Sequence, residues 1–157
     1  MFKNHFSETV VVILSIVMGF MMSLACIVVD RLPFHFPNVF KLWAMITLVI
    51  LLVSIVVPYK DWSARFTALF PVEKGGIPYK MIDNILPSLI LNTCNTVIVS
   101  AANVFYNEAI PAEMQMGHWI QGIIHDWPIM FVVSYCAAFL AEALGVWVAK
   151  RNATVLG

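Results

Sequence analysis

The sequence predicts an all-α membrane protein of four transmembrane helices, built as two parallel-repeat helical hairpins with both termini cytoplasmic (N-in/C-in). Three observations predict it. The 157 residues are 61% hydrophobic and only 11% charged, with a mean hydropathy of +0.88, which lies outside the usual range of soluble domains. Four apolar runs, about Val10–Val29, Phe40–Val57, Ile85–Tyr106 and Trp127–Ala149, match the roughly 17–25 residues that a tilted helix needs to cross hydrocarbon. Finally, Lys3, Lys60, Arg65, Lys74, Lys80, Lys150 and Arg151 fall in the two tails and the middle loop, while the other two loops hold only Arg31 and Lys41. Positive charge stays on the cytoplasmic side, which fixes the orientation.

The first span carries Ser15, Gly19 and Ser23 at four-residue spacing, a ladder of small residues that lets a neighbouring helix approach closely. "MSLAC" (Met22–Cys26) loosely matches a lipoprotein cleavage site, but Ser23 stands where Leu is preferred and the run is long for a signal core, so the span is expected to be retained. After the second span, Trp62, Phe66, Leu69 and Phe70 share one helical face with Lys60 and Arg65 off it. Residues 61–70 are therefore expected to form a helix lying in the inner interface, ended by Pro71. The domain reading is a first two-helix repeat over residues 1–60, an interfacial helix and linker over 61–79, and a second repeat over 80–157. A shift of 84 residues lays Trp43 on Trp127 with apolar residues at matching places, and the even number of crossings per half makes the repeats parallel. Trp43, Tyr106, Trp119 and Trp127 are expected at the outer boundary as interfacial anchors.

The third span is polar for a membrane helix. Projected at 100° per residue, Asn84, Ser88, Asn92, Asn95, Thr96, Asn103 and Asn107 fall within one arc of about 140°, opposite Leu86, Ile90, Leu91, Val97 and Phe105. Hydrocarbon cannot satisfy carboxamides, so this arc must face protein or water. In the fourth span Ser134, Ala138, Ala141 and Gly145 form a second small-residue ladder. Beside it stands Glu142, the one acid deep in a span, about 12 Å from the inner boundary at 1.5 Å per residue. Counted from the inner ends of their spans, Glu142 and Asn92 or Asn95 come to the same depth, and an intramembrane acid is a candidate for proton coupling. The competing reading is a permanently protonated acid bonded to an Asn.

A helix with Ser and Met among its apolar residues ("ILSIVMGFMMS"), a short external segment, and a Trp-led returning helix ("DWPIMFVVSYCAAFLAE") ending in "AKR" resembles the small bacterial inner-membrane family known as domain of unknown function 2798. That family is a two-helix unit, here apparent twice, over about residues 6–60 and 80–151. The resemblance implies a fold unit and a bacterial inner-membrane setting, and no chemistry.

Two functions stay open at this level. The first is a small proton- or cation-coupled transporter or oligomeric pore, with Glu142 as coupling group and Ser88, Asn92, Asn95, Thr96 and Asn103 lining the path. Four helices alone usually enclose a filled core, so such a path is expected to need a homo-oligomer, a dimer or larger. The second is a non-transporting accessory protein whose polar face docks another membrane subunit. No catalytic motif is present, so no enzyme activity and no cofactor are expected. Zero net charge without a basic cluster excludes nucleic acid, and the lipid bilayer is the one partner certain from composition. Glu113, Met114, Met116, His118, His125 and Asp126 in the outer segment lack tight ligand spacing, and no metal is expected there. Cys26, Cys94 and Cys136 lie in apolar spans and read as packing residues.

Overall fold

The computed structural model describes the backbone of residues 6–155 and the side chains of residues 8–151. Among these the chain is entirely helical: α1 (Phe6–Val29), α2 (Phe36–Val56), α3 (Tyr59–Thr67), α4 (Ile77–Asp83), α5 (Ile85–Phe105) and α6 (Ala112–Val155). Four helical stretches are long and apolar enough to cross a membrane: Glu8–Val29, Phe36–Val56, Ile77–Phe105 and Ala112–Arg151. In the most apolar window of each, only 22–33% of residues are buried within the chain. The rest, including Val28, Leu48, Ile55, Val56, Ile124 and Val132, point outward and need lipid to cover them.

The helix ends follow from local chemistry. α1 stops where Arg31 takes a left-handed conformation at φ 51°, with Leu32 N–H bonded to Ile27 O at 3.0 Å and Arg31 N–H reaching toward Val28 O. This is the bonding pattern of a Schellman cap, here without the usual glycine. It reverses the chain at once and leaves Asp30 on the last turn. α2 starts with a proline in its first turn, where a missing N–H costs nothing. Pro58 then breaks the chain between α2 and α3, and the turn at Gly76 with Pro78 starts α4.

α6 is the spine. Its C-terminal half packs along α1, its N-terminal half along α5, while α2 closes against α1 and more lightly against α5. Between α1 and α2, Trp43 Nε1–H donates to Ile16 O at 3.0 Å and the Phe20 and Trp43 rings meet edge to face. Between α5 and α6, Trp119 donates to Val97 O at 3.2 Å, Trp127 to Thr93 Oγ1 at 3.0 Å, and Tyr135 Oη–H to Met81 O at 2.8 Å. Trp43, Trp119 and Trp127 therefore pin each hairpin together.

Two features differ from the sequence reading. The fourth span does not begin near Trp127: α6 runs unbroken from Ala112 through Pro128 for 44 residues, about 66 Å at 1.5 Å per residue and twice the hydrocarbon thickness. Because α6 is long enough, the two hairpins are staggered along it. Gly145 abuts Val10 at the start of the first span, whereas Tyr135, ten residues earlier, holds Met81 just before α5, an offset of about 15 Å.

The helix expected over 61–70 is α3, over Tyr59–Thr67. Its buried side is Tyr59, Ser63 and Thr67, packed toward α5, while Trp62, Leu69 and Phe70 face outward. Ser63 and Thr67 donate to Asp83 Oδ1 at 2.9 and 3.1 Å, and Ser63 also reaches Asp83 O. Hydroxyl groups turned in, with Trp62, Leu69 and Phe70 turned out, suit a segment seated against lipid.

Candidate functional site

α5 supplies the polar wall of the molecule. Ser88, Asn92, Asn95 and Thr96 are all buried, as the single polar arc requires. They do not have equal partners. Asn92 Nδ2–H donates across to Trp127 O on α6 at 3.0 Å, and its Oδ1 accepts from the Thr96 hydroxyl at 3.5 Å. Asn92 is thus interhelical glue. Asn95 is only 2% exposed, yet its Nδ2–H bonds back to Leu91 O on its own helix at 3.0 Å and its Oδ1 has no partner. The hydroxyls of Ser88 and Ser100 are also buried without partners. Leaving a buried polar atom unpaired costs about 1–3 kcal/mol, so three along one helix are a concentrated expense.

Two cavities open beside this wall. The inner one, about 30 Å³, lies between all four long helices and is lined by Met22, Cys26 and Asp30 with Ile46, by Asn95, Thr96, Val99, Ser100 and Asn103 of α5, and by Asp126 and Met130 of α6. That volume suits one or two water-sized occupants. The outer one, about 550 Å³, is an open vestibule at the end carrying the α1–α2 and α5–α6 loops, with Asn38, Lys41, Asn107 and Glu108 in its walls. Asp30 and Asn103 line both, so the vestibule adjoins the inner cavity at these two residues. Met22, Ile46 and Met130, each at most 3% exposed, close the far side.

The charges at the junction act on each other. Loss of solvent and the nearby Asp126 carboxylate push the Asp30 carboxyl up to about 6, with His125 pulling it down. Asp126 is held by His125, whose Nδ1 lies 2.7 Å from its Oδ1. The inner walls carry two carboxylates and no basic residue; the vestibule adds Glu108 and Lys41.

Most of the polar residues expected to line a path are gathered here: Asn95, Thr96 and Asn103 line the inner cavity, while Ser88 and Asn92 are buried but line neither cavity. Glu142 is not among them. It is exposed on α6, lines neither cavity and bonds to no Asn. The stagger is the reason. Asn92 bonds to Trp127, fifteen residues before Glu142, which separates the two by about 22 Å along α6, and depth counted from the inner span ends assumed level hairpins. The small-residue ladders lie inside the chain. Ser15, Ser23, Ser134, Ala138 and Ala141 are buried, Gly19 lies against Thr47 of α2, and Gly145 against Val10 of α1, so these surfaces serve contacts within one chain. The Ser hydroxyls bond their own helices at Val11 O, Phe20 O and Phe131 O.

Sequence reasoning missed Asp30 altogether and saw Asp126 only as part of the outer segment. The available signal was that each acid stands at the loop-side end of an apolar run; their convergence depends on helix rotation and stagger. In that outer segment His118 and His125 are exposed, and among the described residues no three His, Cys, Asp or Glu side chains gather as a metal site. No family profile, curated protein or solved structure matches the chain.

Proposed function

We propose that this multi-pass membrane protein moves protons or a small cation across the bilayer, with the adjoining cavities as the entry half of its path. The observation that carries the reading is an open vestibule adjoining a smaller cavity that mixes acid, carboxamide and apolar side chains, with Asp30 and Asn103 in the walls of both. An acidic neck favours cations, and the positive-inside rule puts that neck on the external side. The apolar floor of Met22, Ile46 and Met130 makes the path outward-facing and closed at its base, as alternating access demands. The four helices of one chain build the site, so the reading needs no second copy. A docking role for the polar face is less favoured, because Asn92, Asn95 and Thr96 are already buried within the chain.

The test is cation and proton flux in proteoliposomes holding the purified full chain. Asp126→Asn is expected to lower flux at least about tenfold, by removing one of two charges from the neck. Glu142→Gln is expected to leave it within twofold of wild type. Absence of flux in the wild-type protein, under both a sodium and a proton gradient, would overturn the proposal.

A further inference from the structure

We infer that the inner cavity is a binding site for a dehydrated sodium-sized monovalent cation, held by Asn95 Oδ1 and the Ser100 hydroxyl and charge-balanced by Asp30 and Asp126. The inference deepens the transport reading by naming its ion, and rests on that reading only for the ion's passage, not for its binding.

Four observations converge. Asn95 Oδ1 is a buried acceptor without a partner, while the Nδ2 of the same carboxamide donates to Leu91 O, so what satisfies the oxygen must bring a hydrogen or a positive charge. Ser100, another residue of the same cavity wall, also has a buried and unpartnered hydroxyl. Asp30 and Asp126 supply negative charge with no basic residue in the wall. The volume of about 30 Å³ has room for one or two water-sized occupants, which favours a small, largely dehydrated ion over an organic cation.

Other ions fit less well. Magnesium gives up its waters reluctantly and calcium wants six to eight oxygens with several carboxylates, while no group of three acid, His or Cys side chains gathers among the described residues. Met22, Cys26 and Met130 offer soft sulfur to the same cavity, but the unpartnered atoms are oxygens, which prefer a hard cation.

The test is thermal unfolding of the purified full chain in detergent, with sodium, potassium or choline chloride at constant ionic strength. Sodium a hundredfold above its dissociation constant should raise the midpoint by about 5 °C or more over choline, with potassium giving less than half of that. Asn95→Leu should fold with an unchanged midpoint in choline and lose the sodium shift, and Ser100→Ala should weaken it. Asn92→Leu should lower the midpoint in every salt and keep the shift. Equal midpoints in all three salts, or a sodium shift that survives Asn95→Leu, would overturn the site. Sodium stabilisation without flux leaves the site standing and removes the transport reading; proton flux without sodium stabilisation does the reverse.

Discussion

The two hairpins share a plan and differ in what fills their seams. α1 and α2 meet along an apolar face, with Met18, Met22, Ile46 and Ile50 buried, Gly19 against Thr47, and one buried unpartnered polar atom, Thr47 Oγ1. On the other side, α5 and the turn before it hold four: Asn84 Nδ2, Ser88 Oγ, Asn95 Oδ1 and Ser100 Oγ. Both hairpins are pinned by a tryptophan indole, so the polar atoms of the second are not needed merely to hold two helices together. The difference teaches that the first hairpin is filled by close packing, whereas the second keeps the buried polar atoms on which the proposed site rests. Only one of the α5 carboxamides, Asn92, does the first hairpin's kind of work.

The contrast can be broken most forcefully at Gly19. A Cβ there would press on Thr47 Oγ1 and come within 3.1 Å of Thr47 Cα and N, backbone that cannot swing aside. Gly19→Leu is expected to destabilise by about 3 kcal/mol or more, seen as loss of the folded monodisperse protein in detergent. Asn92→Leu should cost about 1–2 kcal/mol through its bond to Trp127 O, while Asn95→Leu should cost close to nothing, since losing the bond to Leu91 O on its own helix is offset by removing a buried acceptor that has no partner. Equal losses at Asn92 and Asn95 would erase the distinction between glue and site.

A smaller effect sharpens the comparison at the junction of the hairpins. Asp30 faces Asp126 and His125 on α6, Cys26 on α1, Lys41 on α2 and Glu108 in the α5–α6 loop. Its carboxyl is raised from 3.8 to about 6, so across that window the folded chain holds a proton that the unfolded chain has released. Folding stability therefore falls as pH rises through the window and levels off above it. The ionised form is the one that attracts a cation, so sodium affinity should fall as pH drops below about 6. In Asp30→Asn both dependences should flatten, measurable as unfolding midpoints from pH 4 to 8 with and without sodium.

Much of this was legible in the sequence, and the failures share one cause. The helical period on α5 placed Ser88, Asn92, Asn95 and Thr96 on one buried side, because a helix carries its own geometry. The small residues Ser15, Gly19, Ser134 and Gly145 fall at close contacts for the same reason. Glu142 did not meet the Asn face because depth depends on how hairpins slide along each other, which no single helix encodes. α6 ran through Pro128, whose missing N–H deprives Ile124 O of its helical donor, because the bonds of Trp119 and Trp127 to α5 hold this stretch of helix in place. Asp30 and Asp126 share a cavity only through tertiary packing.

The most direct test of the central claim, that the polar wall of α5 lines a water-filled path from the loop end, is labelling by a membrane-impermeant thiol reagent in a background where Cys26, Cys94 and Cys136 are Ala. Asn103→Cys should label fast and Ser100→Cys more slowly, both only from the loop side and both slowed by sodium, while Ile50→Cys in the apolar seam stays unlabelled. Failure of Asn103→Cys and Ser100→Cys to label from either side would mean a dry, packed wall and would contradict the account.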